Sequence, residues 1–346
     1  MKIVLTTPYN LVPANYGGAV RTIELANALR SQGHDVAILS ANNALADNFA
    51  FRSPHPLNYF FNCSFASALR HLAVEFSPDL VVCAFPYQAA MLLSFSRKYG
   101  VPLVYDAHNI EHLRFERLGK PVLAKFVRFF ERALIRHSKA VICVSEEEQN
   151  YLQARYSKPI LLIPNGVNLE NSTPGTERKY TFCFFGALDY QPNSRALAFI
   201  RESWPSLQAG WPEATLLLVG RNPPAWSHTM EGWVVTGEVD NVSAAISQAK
   251  ILLCPVSEGG GSRLKIVEAV ANGLLVVSTR FGAEGFEKLI SGGAVLISPL
   301  ESFVTKVLTL VNREVDPEEV AKTAAPYDWK VLVGKLESLD VSAREE

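Results

Sequence analysis

Ile251-Leu252-Leu253-Cys254-Pro255-Val256-Ser257-Glu258-Gly259-Gly260-Gly261-Ser262-Arg263-Leu264-Lys265-Ile266-Val267-Glu268-Ala269-Val270-Ala271-Asn272-Gly273-Leu274-Leu275-Val276-Val277-Ser278 holds a short apolar run, three consecutive glycines, a helix-length segment and a second apolar run. Runs of four or five apolar residues are strand length, and strand, helix, strand in that order joins parallel strands through a crossover. The same alternation continues in both directions. Strand-like runs lie at 3–6, 36–40, 80–84, 103–106, 140–144 and 160–163, and a second series at 181–185, 215–219, 233–236, 251–254, 274–278 and 294–297. Residues 164–175 between the two series are rich in turn formers and poor in apolar side chains, as interdomain segments are. The pattern predicts an α/β protein of two doubly wound sheets, with a first domain over 1–168, a linker over 169–179 and a second domain over 180–326.

Composition agrees with an ordered protein of that size: 346 residues, 48% hydrophobic and 19% charged. Thirty-three Lys and Arg against 34 Asp and Glu leave a formal charge of −1, which argues against a nucleic-acid binder acting through bulk positive charge. The first apolar run is short and stops at Pro8, unlike a secretory leader, so a cytoplasmic protein is expected. The longest uncharged stretch, 80–96, contains Pro86 and Gln88 and reads as strand, loop and helix, not as a membrane span. Five scattered cysteines, four of them inside apolar runs, suit buried small hydrophobes in a reducing compartment.

Two loops suggest chemistry. Glycine amides and the start of the helix at 259–265 can cradle a phosphate, Arg263 and Lys265 can neutralise a diphosphate, and Glu268 can accept the two hydroxyls of a ribose. The alternative is a loop before a surface helix with solvated charges. Tyr16-Gly17-Gly18 follows the first strand, where glycines either make a tight turn or let the backbone approach a ligand. His108, two residues after Asp106 and followed by Asn109 and Glu111, makes the end of one central strand unusually polar, although a histidine there can also serve only as a local hydrogen-bonding residue. No Asp-x-Asp occurs, so no such carboxylate pair is available to hold a divalent ion on a diphosphate.

In order along the chain, Tyr16-Gly17-Gly18, Tyr105-Asp106-Ala107-His108-Asn109, Ile163-Pro164-Asn165-Gly166, Phe185-Gly186-Ala187-Leu188-Asp189, Thr236-Gly237-Glu238-Val239, the glycine cluster through Glu268, and Tyr327-Asp328-Trp329 resemble the family 4 glycosyltransferases of GT-B fold. The resemblance implies two Rossmann-like domains facing across a cleft, with a final helix, 327–346, packing back on the first. It implies sugar transfer with retention from a nucleotide-sugar donor to an acceptor hydroxyl, without cofactor or metal, as in the synthesis of cell-surface polysaccharide or glycoconjugates. Carried over residue by residue, Glu268 binds the donor ribose, Gly260, Gly261 and Ser262 lie over sugar and phosphates, and Val239 meets the base. His108, with Asp106 beside it, stands near the transferred sugar. Gly17, Gly18 and Gly186 complete the donor set. The chain departs from the family at Gly260, where many members have a glutamate that here has its nearest counterpart in Glu258, and at Ala187 and Pro192, where many have cations. Arg263 and Lys265 are the candidates to replace those cations. An epimerase acting on the nucleotide sugar, or a silent nucleotide- or glycan-binding module, would share the donor site. A dinucleotide-dependent dehydrogenase is disfavoured, since neither half has the GxGxxG fingerprint.

One more segment stands out. From Arg114 to Lys139 eight Lys and Arg face only Glu116 and Glu131, with Lys125, Arg128, Arg132 and Arg136 on one helical stripe and Phe129 among them. Such a stripe is either a solvated face or a dock for an anionic membrane or a glycan or lipid-linked acceptor, which would place the protein peripherally on the inner face of the membrane.

Overall fold

Strands buried on both faces need apolar side chains on both, and the runs found in the sequence form two all-parallel sheets. The computed structural model describes residues 1–12, 17–41, 49–52, 60–175, 177–259, 264–310, 312–337 and 339. The chain divides into Met1–Pro164 together with the segment from Trp329, and Asn165–Asp328.

The first unit has strands β1 (Lys2–Thr6), β2 (Asp35–Ala41), β3 (Phe49–Phe51), β4 (Leu80–Ala84), β5 (Leu103–Asp106), β6 (Ala140–Cys143) and β7 (Ile160–Leu162), in the order β3-β2-β1-β4-β5-β6-β7. Between them run helices α1 (Gly17–Ser31), α2 (Cys63–Glu75), α3 (Ala89–Tyr99), α4 (Glu111–Arg117), α5 (Pro121–His137) and α6 (Glu146–Gln153). Period-two alternation splits the core: Val4 packs with Phe65, Val81, Tyr105, Val127 and Leu134 on one face, while Ile3 and Leu5 pack with Leu25, Leu29, Val82 and Val104 on the other. Caps set the helix starts. Asn62 and Ser145 side chains accept from the backbone N–H of Phe65 and Glu148, and Pro121 opens α5.

The second unit has β8 (Tyr180–Phe185), β9 (Leu216–Val219), β10 (Trp233–Gly237), β11 (Ala249–Cys254), β12 (Leu275–Ser278) and β13 (Val295–Ile297), in the order β10-β9-β8-β11-β12-β13. Its helices are α7 (Gln191–Gly210), α8 (Val242–Ile246), α9 (Leu264–Ala271), α10 (Glu287–Ser291), α11 (Phe303–Leu308) and α12 (Pro317–Lys322). Arg178 binds four carbonyls, those of Ser247, Ala249, Asn272 and Gly273, and the Thr173 N–H donates to Asn272 Oδ1 at 2.9 Å, so 173–178 are fastened to this unit. The chain enters and leaves it side by side, with Val167 N–H on the Tyr327 carbonyl at 2.9 Å. Helix α13 (Trp329–Glu337) then lies against α1 in the first unit and buries Trp329, Leu332, Val333 and Leu336 there. Among the described residues no helix is long and apolar enough to cross a membrane.

Candidate functional site

In both sheets the order reverses beside the first strand, between β1 and β4 and between β8 and β11, and open α/β sheets bind ligands at the carboxyl ends of strands flanking such a point. Most of the described candidates from the sequence fall near these two places.

In the first unit Asp106 ends β5 and is buried. Arg21, on α1, grips it with two hydrogen bonds, Nη2 to Oδ1 at 2.8 Å and Nε to Oδ2 at 3.1 Å. The other guanidinium bonds go to the carbonyls of Ile163 (3.0 Å) and Pro164 (3.2 Å), with the Trp329 ring 5.7 Å away. Burial works to raise the Asp106 pKa, but Arg21 and His108 outweigh it and hold the carboxyl well below the usual carboxylate range. Asp106 is therefore held ionised between Arg21 and His108. Its Oδ2 lies 3.1 Å from His108 Nε2, and a nitrogen that donates to a carboxylate leaves the other, Nδ1, as the acceptor in neutral imidazole. Among the described residues Nδ1 has no partner. The His108 ring sits 4.5 Å from that of Phe85, which is held at φ +68° just after β4, a left-handed conformation costing a side chain about 1–3 kcal/mol.

Behind His108 lies a second buried network. Glu131 accepts from the backbone N–H groups of Glu111 (2.9 Å) and His112 (3.1 Å), from Tyr105 Oη (2.9 Å) and from His112 Nδ1 (2.5 Å). Glu111 in turn meets Tyr87 Oη and Arg114. Glu131, which the sequence places beside a basic stripe as a partial offset, thus faces inward and fastens the start of α4 to α5.

In the second unit the β8–α7 loop meets the start of α9. Lys265 Nζ donates to Asn193 Oδ1 at 2.8 Å and lies 4.3 Å from the centre of the Phe184 ring, while Asn193 Nδ2 donates to the Ala187 carbonyl at 2.8 Å. The ammonium group is thereby brought to the segment from Ala187 to Pro192, which joins β8 to the first turn of α7. Gly186 and Gly220 are pressed together: a Cβ on Gly220 would lie 1.8 Å from the Gly186 carbonyl oxygen, so this position excludes every side chain. Glu258 is engaged elsewhere, in an ion pair with Arg195 on α7. Glu268 is half-buried one turn into α9, and its carboxylate has no hydrogen-bond donor among the described residues; burial, partly opposed by Lys265, pushes its pKa up to about 7. Val239 lies half-buried after β10. Gly260, Gly261, Ser262 and Arg263 lie outside the described residues.

Gly17 and Gly18 are the first residues of α1, and the Thr22 hydroxyl donates to the Gly18 carbonyl at 2.9 Å. Lys125, Phe129, Arg132 and Arg136 are exposed on α5, and Arg128 pairs with Glu116. Among the described residues no three His, Cys, Asp or Glu side chains gather as a metal site. Sequence reasoning missed Arg21, although a signal existed: it precedes Leu25 and Leu29 by one and two turns and so lies on the apolar stripe of α1. It gave no role to Asn193 or Gly220, whose parts arise where the first turn of α7 meets α9 and where the turn after β9 meets the turn after β8.

The sequence profile of Glycosyltransferase Family 4 matches residues 16–171, and that of Glycosyl transferases group 1 matches 179–313. No curated protein matches the chain by sequence. Solved structures match over nearly the whole length. Sucrose-phosphate synthase from Thermosynechococcus elongatus has a TM-score of 0.75 at 16% identity, with 98% of each chain covered. Anabaena HepE in complex with UDP and glucose has a TM-score of 0.66 at 15% identity, over 99% of this chain and 96% of that one. The pneumococcal O-GlcNAc transferase GtfA, in complex with UDP and GlcNAc, has a TM-score of 0.68 at 10% identity, over 97% and 98%. At such identities the likeness is one of fold. With each unit matched by a glycosyltransferase profile and each built on a parallel sheet of Rossmann order, the chain belongs to the GT-B glycosyltransferases of the family 4 type.

Proposed function

We propose that the protein transfers a hexose, with retention, from a nucleotide-sugar donor to the hydroxyl of a glycan or lipid-linked acceptor, in the cytoplasm and in the service of cell-surface polysaccharide or glycoconjugate synthesis. The observation that carries the donor half is Glu268. A half-buried carboxylate with a raised pKa and no donor among the described residues suits a ligand bearing two adjacent hydroxyls, and a ribose is such a ligand. Lys265 stands nearby, three residues earlier on the same helix. As the bond from the sugar to the diphosphate breaks, negative charge grows on the leaving oxygen; Lys265, Arg263 and the amides of 259–262 are the groups assigned to stabilise it. That HepE has been solved with UDP-glucose supports a UDP-sugar as the first donor to try. On the first unit, His108, fixed by Asp106, is assigned to the transferred sugar.

No cofactor and no metal is required in this reading, so activity should persist in EDTA. Calorimetry against UDP, GDP, dTDP and ADP identifies the base, and incubation of the matching nucleotide sugar with an acceptor panel tests transfer. Appearance of an epimer from donor alone would replace this reading with a nucleotide-sugar epimerase. Tight nucleotide binding with no product from any acceptor would replace it with a silent binding module.

A further inference from the structure

Helix α5 turns Glu131, Val127 and Leu134 inward and presents a different face to solvent. On that face and beside it Val122 is 82% exposed, Phe129 69%, Phe61 68%, Leu118 55% and Phe126 43%. The rings are contiguous: Phe126, Phe129 and Phe61 lie 5.0, 5.4 and 6.0 Å from the ring of Phe130. Val122, Phe126 and Phe129 recur at intervals of four and three residues, so they form a ridge along the helix. Lys125, Arg132 and Arg136 form an adjacent ridge, with Lys120 at the helix N-terminus; all four are exposed, and none has an ion-pair partner among the described residues. Lys120, Pro121, Val122, Leu123 and Phe126 line a groove of about 500 Å³.

We infer that this face of α5 is a docking surface for an anionic lipid bilayer, with Val122, Phe126 and Phe129 entering the headgroup boundary and Lys125, Arg132 and Arg136 lying among the phosphates. Exposed rings beside cations that have no ion-pair partner among the described residues match the two requirements of an interfacial helix, apolar area and attraction to anionic headgroups. A second copy of the chain is the wrong occupant, because the same face on both partners would set these cations against one another. The protein as a whole carries a formal charge of −1, so the attraction is local to this face and orients the molecule. Each basic residue close to an anionic surface contributes roughly fivefold to partitioning, and screening by salt removes much of it.

The test uses the full chain and vesicles of phosphatidylcholine with or without phosphatidylglycerol, and it needs no sugar transfer, so it stands apart from the catalytic reading. Co-sedimentation with the anionic vesicles is expected at low salt, falling at high salt and absent with phosphatidylcholine alone. Combined Lys125→Glu, Arg132→Glu and Arg136→Glu should lower partitioning by about a hundredfold or more, and combined Val122→Ser, Phe126→Ser and Phe129→Ser should abolish it even at low salt. A tryptophan introduced as Phe129→Trp should be quenched by brominated lipid beyond the wild-type background. Failure of the wild type to bind anionic vesicles, or no added quenching, overturns the proposal. So does a concentration-dependent dimer in sedimentation velocity that the serine variant loses, which would make the patch a self-association face.

Discussion

Asp106 in the first unit and Glu268 in the second are both withdrawn from water at sites where the fold receives ligands, yet their surroundings drive them in opposite directions. Burial raises the pKa of each, but Asp106 is answered by Arg21 and His108 and falls well below the carboxylate range, whereas Glu268, among the described residues, has the partial help of Lys265 and rises to about 7. A carboxylate that the protein supplies with donors is part of the framework. One left without them has hydrogen-bonding capacity to offer a ligand. The contrast separates the residue that aims His108 from the residue assigned to touch substrate.

The largest effect should come from breaking the first member of the pair. Arg21→Met strips the buried Asp106 of two of its hydrogen bonds and leaves it His108 as its remaining charged partner among the described residues, and should cost about 3–5 kcal/mol in urea unfolding of the first unit. The contribution of the Asp106 charge is present above its unfolded pKa, near 4, and is lost as pH falls through the lower folded value, so it does not vary across neutral pH. A cost under about 1 kcal/mol would show that the pair is not structural. Next in size, His108→Ala should lower turnover by about a hundredfold or more while leaving donor affinity nearly unchanged. Equal loss of affinity and turnover would make His108 a plain binding residue.

Glu268→Gln sharpens the other member. Donor affinity should fall by about 1.5–3 kcal/mol, as when a charged hydrogen-bond acceptor is removed. In the wild type, UDP-glucose affinity should rise with pH through about 7 as the carboxyl ionises, while the stability of the ligand-free second unit moves the other way, because a raised pKa contributes most at low pH and its contribution is lost as pH rises through 7. The diphosphate of a nucleotide sugar does not titrate there, so a pH dependence that survives Glu268→Gln would remove Glu268 from the site. The smallest effect is expected at Lys265: replacement by alanine should weaken UDP by about 1 kcal/mol and uridine hardly at all. Equal weakening of both would mean that Lys265 does not answer the phosphate charge.

The nine interior strands were legible because a parallel strand buried on both faces is apolar nearly throughout, and the edge strands β7, β10 and β13 because each still carries a short apolar run bounded by turn formers. β3 was not: its three residues, Phe49-Ala50-Phe51, include no β-branched side chain and an alanine at the centre. The site was legible where one local segment carries it, as in Asp106 with His108 or Lys265 with Glu268. It was illegible where elements distant in sequence converge. Arg21 reaches Asp106 across 85 residues, and Lys265 reaches Asn193 across 72. Glu131 shows the remaining difficulty: charge counting along α5 takes it for a solvated acid, and only the angle of its position on the helix, shared with Val127 and Leu134, turns it toward the core.

The return of α13 to the first unit sets an order of events during synthesis. All seven strands of that unit have been made by Leu162, but the sheet face that receives Trp329, Leu332, Val333 and Leu336 stays open until Asn165–Asp328 has been translated. At ribosomal speeds that interval is roughly 10–30 s, long compared with the folding of most domains. The second unit, continuous in sequence, can complete itself first. For that interval the nascent chain exposes Leu25, Leu29 and their neighbours to whatever else is in the cell, and a stalled or truncated product that stops before Trp329 is left with that face permanently uncovered.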